Sequence, residues 1–195
     1  MLELGSGAGH NAYYLKRWYN LTLSDLSDEM LNISRKLNPE IDHFQGDMRS
    51  LRLDKTFDAV FIHDAIMYMT NTEDLRKALE TSYIHLNPGG ILLISPDFIK
   101  ETFKSETGHG GSDGEKKSLR YLIWQSDPDP DDDTCIEDFI YVFKNEAGGV
   151  TTEHERHIMG LFSKDLWINL LSSAGFTSKT IDDKFGRVNF LCVKR

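Results

Sequence analysis

The residues best equipped for chemistry crowd the start of the chain: a carboxylate at Glu3, alternate glycines at Gly5, Gly7 and Gly9, and a second carboxylate at Asp25. Glycines at a strand-to-helix turn let backbone N–H groups approach a ligand closely, because no Cβ stands in the way and positive φ angles cost little. Leu21-Thr22-Leu23-Ser24-Asp25 reads as a second short strand ending in an acid. In nucleotide-binding folds an acid there accepts from the two vicinal hydroxyls of a ribose. The implied chemistry is capture of a nucleoside. A dinucleotide turn would need Gly-x-Gly-x-x-Gly, whose last glycine brings helix onto strand. That place is taken by His10, which argues against a nicotinamide oxidoreductase.

The spacing acidic-x-Gly-x-Gly-x-Gly resembles instead the first motif of the class I S-adenosylmethionine-dependent methyltransferases. The resemblance implies S-adenosylmethionine as cofactor, with Glu3 facing its cationic amino-acid end, Gly5, Gly7 and Gly9 cradling it, and Asp25 with Leu26 on the ribose side. It also implies that Asp47, in His43-Phe44-Gln45-Gly46-Asp47-Met48, accepts from the adenine amino group while the Met48 backbone N–H serves the adjoining edge. Met30 reads as part of a helix core, with an adenine contact as the alternative. Gly46-Asp47-Met48-Arg49-Ser50, Glu101-Thr102-Phe103 and Glu155-Arg156-His157-Ile158-Met159-Gly160-Leu161-Phe162 look like the branch that contains amino-sugar N,N-dimethyltransferases. A small-molecule acceptor, with amines among the candidates, follows from that likeness.

Methyl transfer is an in-line displacement, so the protein must mainly align two reactants and exclude water. A neutral amine acceptor needs no obligatory base. His63, His157 and Tyr68 are the candidates for orienting or deprotonating an acceptor, and each also reads as an ordinary structural hydrogen-bonder. His63, at the end of a strand, is a candidate for contact with the cofactor as well.

Alternating strands and helices up to about Pro96 predict an α/β fold with a parallel sheet and right-handed crossovers. Ser27 caps a helix presenting Met30, Ile33 and Leu37, and Phe57 to His63 is a buried fourth strand. Leu75, Ala78, Leu79, Ser82, Tyr83 and Leu86 follow helical spacing, and Asn87-Pro88-Gly89-Gly90 turns into the strand Ile91 to Ser95. Ser163 caps a helix carrying Leu166, Leu170 and Leu171 that stops at Gly175, and Phe176 to Ile181 with Val188 to Val193 forms a closing hairpin. The expected sheet order is 3-2-1-4-5-7-6, a Rossmann-like methyltransferase sheet in a single domain over 1–195. Residues 100–162 form an insertion too long for a simple loop. Three antiparallel strands are expected in it, Leu119 to Gln125, Ile136 to Lys144 and Thr152 to Phe162, roofing an acceptor pocket. Gly108, Gly110 and Gly111 are expected as a flexible lead-in, and Trp124, Tyr141 and Phe143 as an aromatic ceiling or packing within the small sheet.

The chain has 195 residues, 39% hydrophobic and 27% charged, and a formal charge of −9. Tight binding to a phosphate backbone needs clustered Lys and Arg, and only Lys116, Lys117 and Arg120 cluster here. A nucleic-acid methylase is disfavoured further because His63-Asp64-Ala65-Ile66 stands where an Asn/Asp-Pro-Pro-aromatic element is common. No apolar run approaches a membrane span and no targeting segment is visible. Cys135 and Cys192 are too few and too far apart for a metal knuckle or disulfide framework, so a cytoplasmic setting is expected. The run Asp127 to Asp133 lacks the pattern of a calcium loop and reads as a solvated turn. Only Met1 to Leu4 are left for a central strand, so the chain is expected to lack an N-terminal segment of the natural protein. A noncatalytic cofactor-binding or assembly module is the alternative from another class, and monomer and homodimer both stay open.

Overall fold

The computed structural model describes residues 1–195. The first sheet has seven strands. β1 (Leu2–Leu4), β2 (Thr22–Asp25), β3 (Asp42–Gln45), β4 (Phe57–Ile62) and β5 (Leu86–Ile94) come from the first half of the chain, and β10 (Phe176–Asp182) and β11 (Val188–Lys194) from its end. Their order is β3-β2-β1-β4-β5-β11-β10, with β11 antiparallel to both its neighbours. This is the expected 3-2-1-4-5-7-6 arrangement. Leu4 lies level with Ser24 on one side and Ile62 on the other, so the end of β1 sits at the centre of the sheet.

Four helices cover this sheet: α1 (His10–Leu15), α2 (Asp28–Leu37), α3 (Thr72–Ile84) and α4 (Lys164–Ser173). The chain reverses its march across the sheet between β1 and β4. Right-handed crossovers then place the helices on both faces and open a crevice at the carboxyl ends of those two strands. Leu2, Leu4, Val60, Ile62, Leu92 and Ile94 fill the core from the sheet, and Leu75, Leu79, Trp167 and Leu171 from the helices. The Ser163 hydroxyl accepts from the Leu166 N–H at the start of α4, and Gly175 ends that helix with φ +95°. Trp167, absent from the expected face, is the largest buried side chain and stacks on Phe190 at 4.9 Å.

Two expectations about this sheet and its helices need correction. Met30 and Ile33 are not core; they are 44% and 49% exposed, and Leu31 with Ser34 takes the buried face of α2. The cause is backbone approach. Asn38 Nδ2 donates to the Gly9 carbonyl at 2.9 Å, and a Cβ on Gly9 would collide with the Ser34 hydroxyl. The helix therefore rests on Leu31 and the small polar Ser34 rather than on Met30 and Ile33. The second correction is to β5, which begins at Leu86, five residues before the expected start, and carries the Asn87–Gly90 stretch as a bulge opposite Phe57–Ala59.

The second sheet is antiparallel and has four strands rather than three, β6 (Glu106–Asp113), β7 (Lys117–Ser126), β8 (Thr134–Asn145) and β9 (Val150–Gly160), in that order. Gly108, Gly110 and Gly111 belong to β6 and are not a flexible lead-in. Gly110 pairs with Tyr121, whose ring occupies the space a Cβ would need. Gly110 and Gly111 are thus strand residues at points of close approach, whereas a Cβ on Gly108 would meet open space. The Asp127–Asp133 stretch joins β7 to β8; there Asp132 accepts from the Thr134 N–H and Asp129 from the Asp131 N–H.

Candidate functional site

The glycine turn leaves β1 directly into the central crevice. Gly5 and Gly9 have φ values of +70° and +78°, and a Cβ on Gly5 would strike the Ala65 methyl. The turn is pinned from β2: the Gly5 and Ser6 N–H groups donate to the Ser24 carbonyl at 2.8 and 3.0 Å. Asp25, at the end of β2, accepts from the Gly7 N–H at 2.7 Å and the Ser27 N–H at 2.9 Å, one on each carboxylate oxygen. Each oxygen keeps a second lone pair for a ligand hydroxyl. Glu3, between Leu2 and Leu4 in β1, is fully buried. Asn11 donates to its Oε1 at 3.1 Å, while Oε2 has no partner, and burial pushes the carboxyl up to about 7. An orphaned buried carboxylate oxygen beside an open glycine turn fits a cationic ligand group, which would supply the missing partner and favour the ionised form.

A cleft of about 400 Å³ opens beside this turn, bordered by Gly5, Asp25, Leu26, Asp47 and Met48. Leu26 is 64% exposed and forms part of its rim. Asp47 follows the end of β3 as expected, but its carboxylate is already gripped by Arg49, through the Arg49 N–H, Nε and Nη2 at 2.6–3.0 Å. Arg49 reaches on to Asp74 at 2.8 Å, and its guanidinium holds the Asp47 carboxyl below the usual carboxylate range. An adenine amino group would share Asp47 with Arg49, a residue the sequence reading quoted without giving it a role. Its position two residues after Asp47 was the available signal, since a local charge pair at that spacing closes easily.

A second cleft of about 510 Å³ adjoins the first and shares Gly5, Asp25, Ala65 and Tyr68 with it. One wall comes from the four-stranded sheet, with Phe139 and Tyr141 stacked at 5.7 Å. Five carboxylates border it, Asp25, Asp64, Asp97, Glu137 and Glu155, and neither Lys nor Arg does. Burial raises the Asp97 carboxyl, with Asp64 and Glu137 adding to the effect. Met30 also reaches this cleft, which explains its exposure. Trp124 lies opposite Asp138 in the pairing register, one residue out of step with Phe139 and Tyr141, and so points to the outer face of the sheet. Phe143 stacks on Tyr141 at 6.0 Å, away from the cleft wall. Phe139 and the carboxylates of β8 and β9 were missed because strand pairing, not sequence spacing, gathers them.

Among the three candidates for acceptor chemistry, the fold joins two and separates one. Tyr68, in the short 3₁₀ turn Asp64–Tyr68, hydrogen-bonds His157 Nδ1 on β9 at 2.9 Å. His63 sits on the other side of the glycine turn, in a cleft with Ser6, Ala8 and His10. Its Nδ1 lies 3.3 Å from Asp64, a pairing that raises the His63 pKa and lowers that of Asp64. Cys135 and Cys192 are both buried, which pushes each thiol up to about 12.

Residues 1–90 match the family model described as a methyltransferase domain. The chain is 34% identical over 105 residues to the dTDP-3-amino-3,4,6-trideoxy-alpha-D-glucopyranose N,N-dimethyltransferase of Streptomyces venezuelae, a match covering 53% of this chain and 44% of that protein. This chain thus spans less than half the length of that relative. It is 24% identical over 179 residues to the dTDP-3-amino-3,6-dideoxy-alpha-D-glucopyranose N,N-dimethyltransferase of Streptomyces fradiae, covering 91% and 69% of the two chains. The solved structure of CalS10, an amino pentose methyltransferase from Micromonospora echinaspora bound to S-adenosylmethionine, superposes with a TM-score of 0.86 at 22% identity, over 100% of this chain and 82% of that one. The glycine turn, the acid at the end of β2, the sheet order and these likenesses agree: residues 1–90 match a methyltransferase domain, and the whole chain has the fold of the solved S-adenosylmethionine-dependent methyltransferase it superposes on.

Proposed function

We propose that this protein methylates the amine nitrogen of a small-molecule acceptor, with nucleotide-linked amino sugars as the acceptor class. The observation that carries this reading is the acidic, aromatic-walled cleft that adjoins the glycine turn and contains no cation of its own. A protonated amine arriving from water is drawn to such a site by its five carboxylates, and aromatic faces favour it further. The names of the Streptomyces relatives supply the sugar class. The same carboxylates disfavour a nucleic-acid backbone as partner. No helix is long and apolar enough to cross a membrane, and the cytoplasm is the compartment proposed.

S-Adenosylmethionine, when bound, supplies a methyl group made electrophilic by its sulfonium. In this reading Glu3 holds the amino-acid end, Gly5, Gly7 and Gly9 keep side chains out of its way, and Asp25 holds the ribose. Leu26 and Met48 pack around the adenine, Met30 borders the adjoining cleft, and Asp47 meets the adenine amino group alongside Arg49. His63 stays near the amino-acid end rather than the acceptor and tunes Asp64 through their contact. The segment 100–162 serves as the roof of the acceptor site and excludes water from it. Tyr68, on the border of both clefts, is the side chain placed to touch the reacting nitrogen.

The test is a calorimetric titration with S-adenosylhomocysteine, followed by incubation with S-adenosylmethionine and dTDP-3-amino-3,6-dideoxy-alpha-D-glucopyranose, read by mass spectrometry. Micromolar binding and addition of one or two methyl groups is the expected result. Binding without methyl transfer to any amino sugar offered would sink the acceptor assignment.

A further inference from the structure

Tyr68 and His157 come from segments 89 residues apart, yet they meet at the junction of the two clefts through a 2.9 Å hydrogen bond. The ring of His157 is held from two sides. Phe139 packs against it edge-on at 5.3 Å, and the Tyr68 ring lies 5.9 Å away. His157 Nε2 faces Glu155 Oε2 at 3.4 Å, and the Glu155 side chain is 52% exposed. A line therefore runs from the cleft to solvent: Tyr68 hydroxyl, His157 Nδ1, His157 Nε2, Glu155 carboxylate. With a carboxylate beside Nε2, that nitrogen carries the hydrogen, and Nδ1 is left to accept from the tyrosine. Burial and the surrounding carboxylates raise the Tyr68 pKa, so its hydroxyl keeps the proton it donates.

We propose that Tyr68, His157 and Glu155 form a relay that carries protons from the acceptor amine to solvent. The inference rests on the amine-acceptor reading above. An acceptor attracted as an ammonium must lose a proton before its nitrogen has a lone pair. Each transfer then forms one N–C bond, breaks one S–C bond with the electron pair left on sulfur, and yields an N-methylated ammonium. One proton must therefore leave per methyl group, and a second methylation on the same nitrogen repeats the need. The Tyr68 oxygen accepts the proton from nitrogen while passing its own to His157 Nδ1; Nε2 releases its hydrogen towards Glu155 and solvent. Tyr68 touches the acceptor and is the catalytic residue. His157 and Glu155 act through it.

The charged and titratable groups facing this pair are Asp25 at the end of β2, Asp64 in the 3₁₀ turn, Asp97 beyond β5, Glu137 and Tyr141 on β8, and Glu155 on β9. Glu137 stands directly across the ladder from His157 and is held by Gln125 Nε2 at 2.6 Å.

The test uses the full chain with S-adenosylmethionine and dTDP-3-amino-3,6-dideoxy-alpha-D-glucopyranose. Tyr68→Phe and His157→Ala should each lower kcat by about 100-fold or more, the ordinary scale of positioned proton transfer, with S-adenosylhomocysteine affinity unchanged. Added imidazole should restore His157→Ala and leave Tyr68→Phe slow. Glu155→Gln, at an exposed position that does not threaten folding, should lower kcat with the acceptor KM unchanged, because the outer end of the relay loses its proton acceptor. A wild-type protein that methylates while both variants stay within threefold in kcat overturns the relay alone. So does a loss confined to the acceptor KM, or a failure of imidazole to rescue. Wild-type protein that binds S-adenosylhomocysteine yet methylates no amino sugar overturns the relay together with the reading beneath it.

Discussion

The two sides of the central crevice are built in different ways. On the cofactor side, N–H groups of the turn after β1 tie it to the end of β2, Gly7 N–H to the Asp25 carboxylate and Gly5 N–H to the Ser24 carbonyl, and Glu3 is buried beneath them. On the roof side, Glu137, Phe139, Glu155 and His157 project from two strands of the second sheet, and all are partly solvent-exposed. The first construction fixes its geometry through main-chain N–H donors and buried or hydrogen-bonded carboxylates. The second holds a cleft with side chains that have room to move. A fold can keep its cofactor site unchanged while the roof is refashioned for another acceptor, which is how one scaffold hosts many reactions.

Substitutions should expose that contrast, most strongly at the turn. Gly5→Val combines a positive φ with a collision against the Ala65 methyl. It should cost about 3 kcal/mol of stability and abolish measurable S-adenosylhomocysteine binding, seen by thermal melting and calorimetry. Retained micromolar binding would show that the turn adjusts after all, and the contrast would fall.

Asp25→Ala removes the acceptor for two backbone N–H groups and, in the proposed site, for the ribose. Its expected effect is a loss of about 10- to 100-fold in S-adenosylhomocysteine affinity, the range for hydrogen bonds to a charged group. A loss below threefold would place the ribose elsewhere.

Glu3 gives the comparison a pH axis. Its carboxyl is pushed up to about 7 by burial, so below that pH a cationic ligand must displace a proton to bind. Affinity should fall by about tenfold for each pH unit below 7. Calorimetry in two buffers of different ionisation enthalpy should show proton release, and Glu3→Gln should abolish the slope. For the free protein the sign is the reverse of the usual carboxylate case. The folded state holds this proton more tightly than the unfolded one, so the contribution of Glu3 to stability is greatest below its ordinary value of 4.5 and is lost as pH rises through about 7. A melting temperature that rises over that interval in wild type relative to Glu3→Gln would contradict the burial argument.

Roof substitutions should act on the acceptor alone. Phe139→Ala removes the ring that packs against both Tyr141 and His157, and should raise the acceptor KM by about fivefold to tenfold, as loss of an aromatic face does, with cofactor affinity unchanged. The smallest effect belongs to Trp124→Ser, on the outer face of the same sheet, where both constants should stay within about twofold. A large change in acceptor KM there would mean that the two faces are not independent.

Much of the cofactor side was legible in the sequence because each device is local. The three glycines have positive φ and Asp25 ends β2. Ser27 and Ser163 both cap their helices, because a hydroxyl three residues before an orphan N–H needs nothing from the rest of the fold. Met30 misled because apolar spacing predicts a buried face only when nothing smaller lies closer, and Gly9 pressing on Ser34 and Asn38 decided the matter. β6 went unseen because its Glu-Thr-Gly-His-Gly-Gly-Ser-Asp sequence has no strand-like alternation, and pairing with β7 alone makes it a strand.

By itself, the sequence determined the α/β order of elements, the family motif at the turn, and the residues that face the cofactor in the proposed site, since these follow from short-range spacing and from what glycine and carboxylate can do. Tertiary structure alone decided that Tyr68 would meet His157, that His63 would stand apart from both, and that five carboxylates from β8, β9 and the ends of three parallel strands would surround one cleft. The physical reason is that register between distant strands is set by packing of the whole sheet, and a shift of one residue sends a side chain to the opposite face.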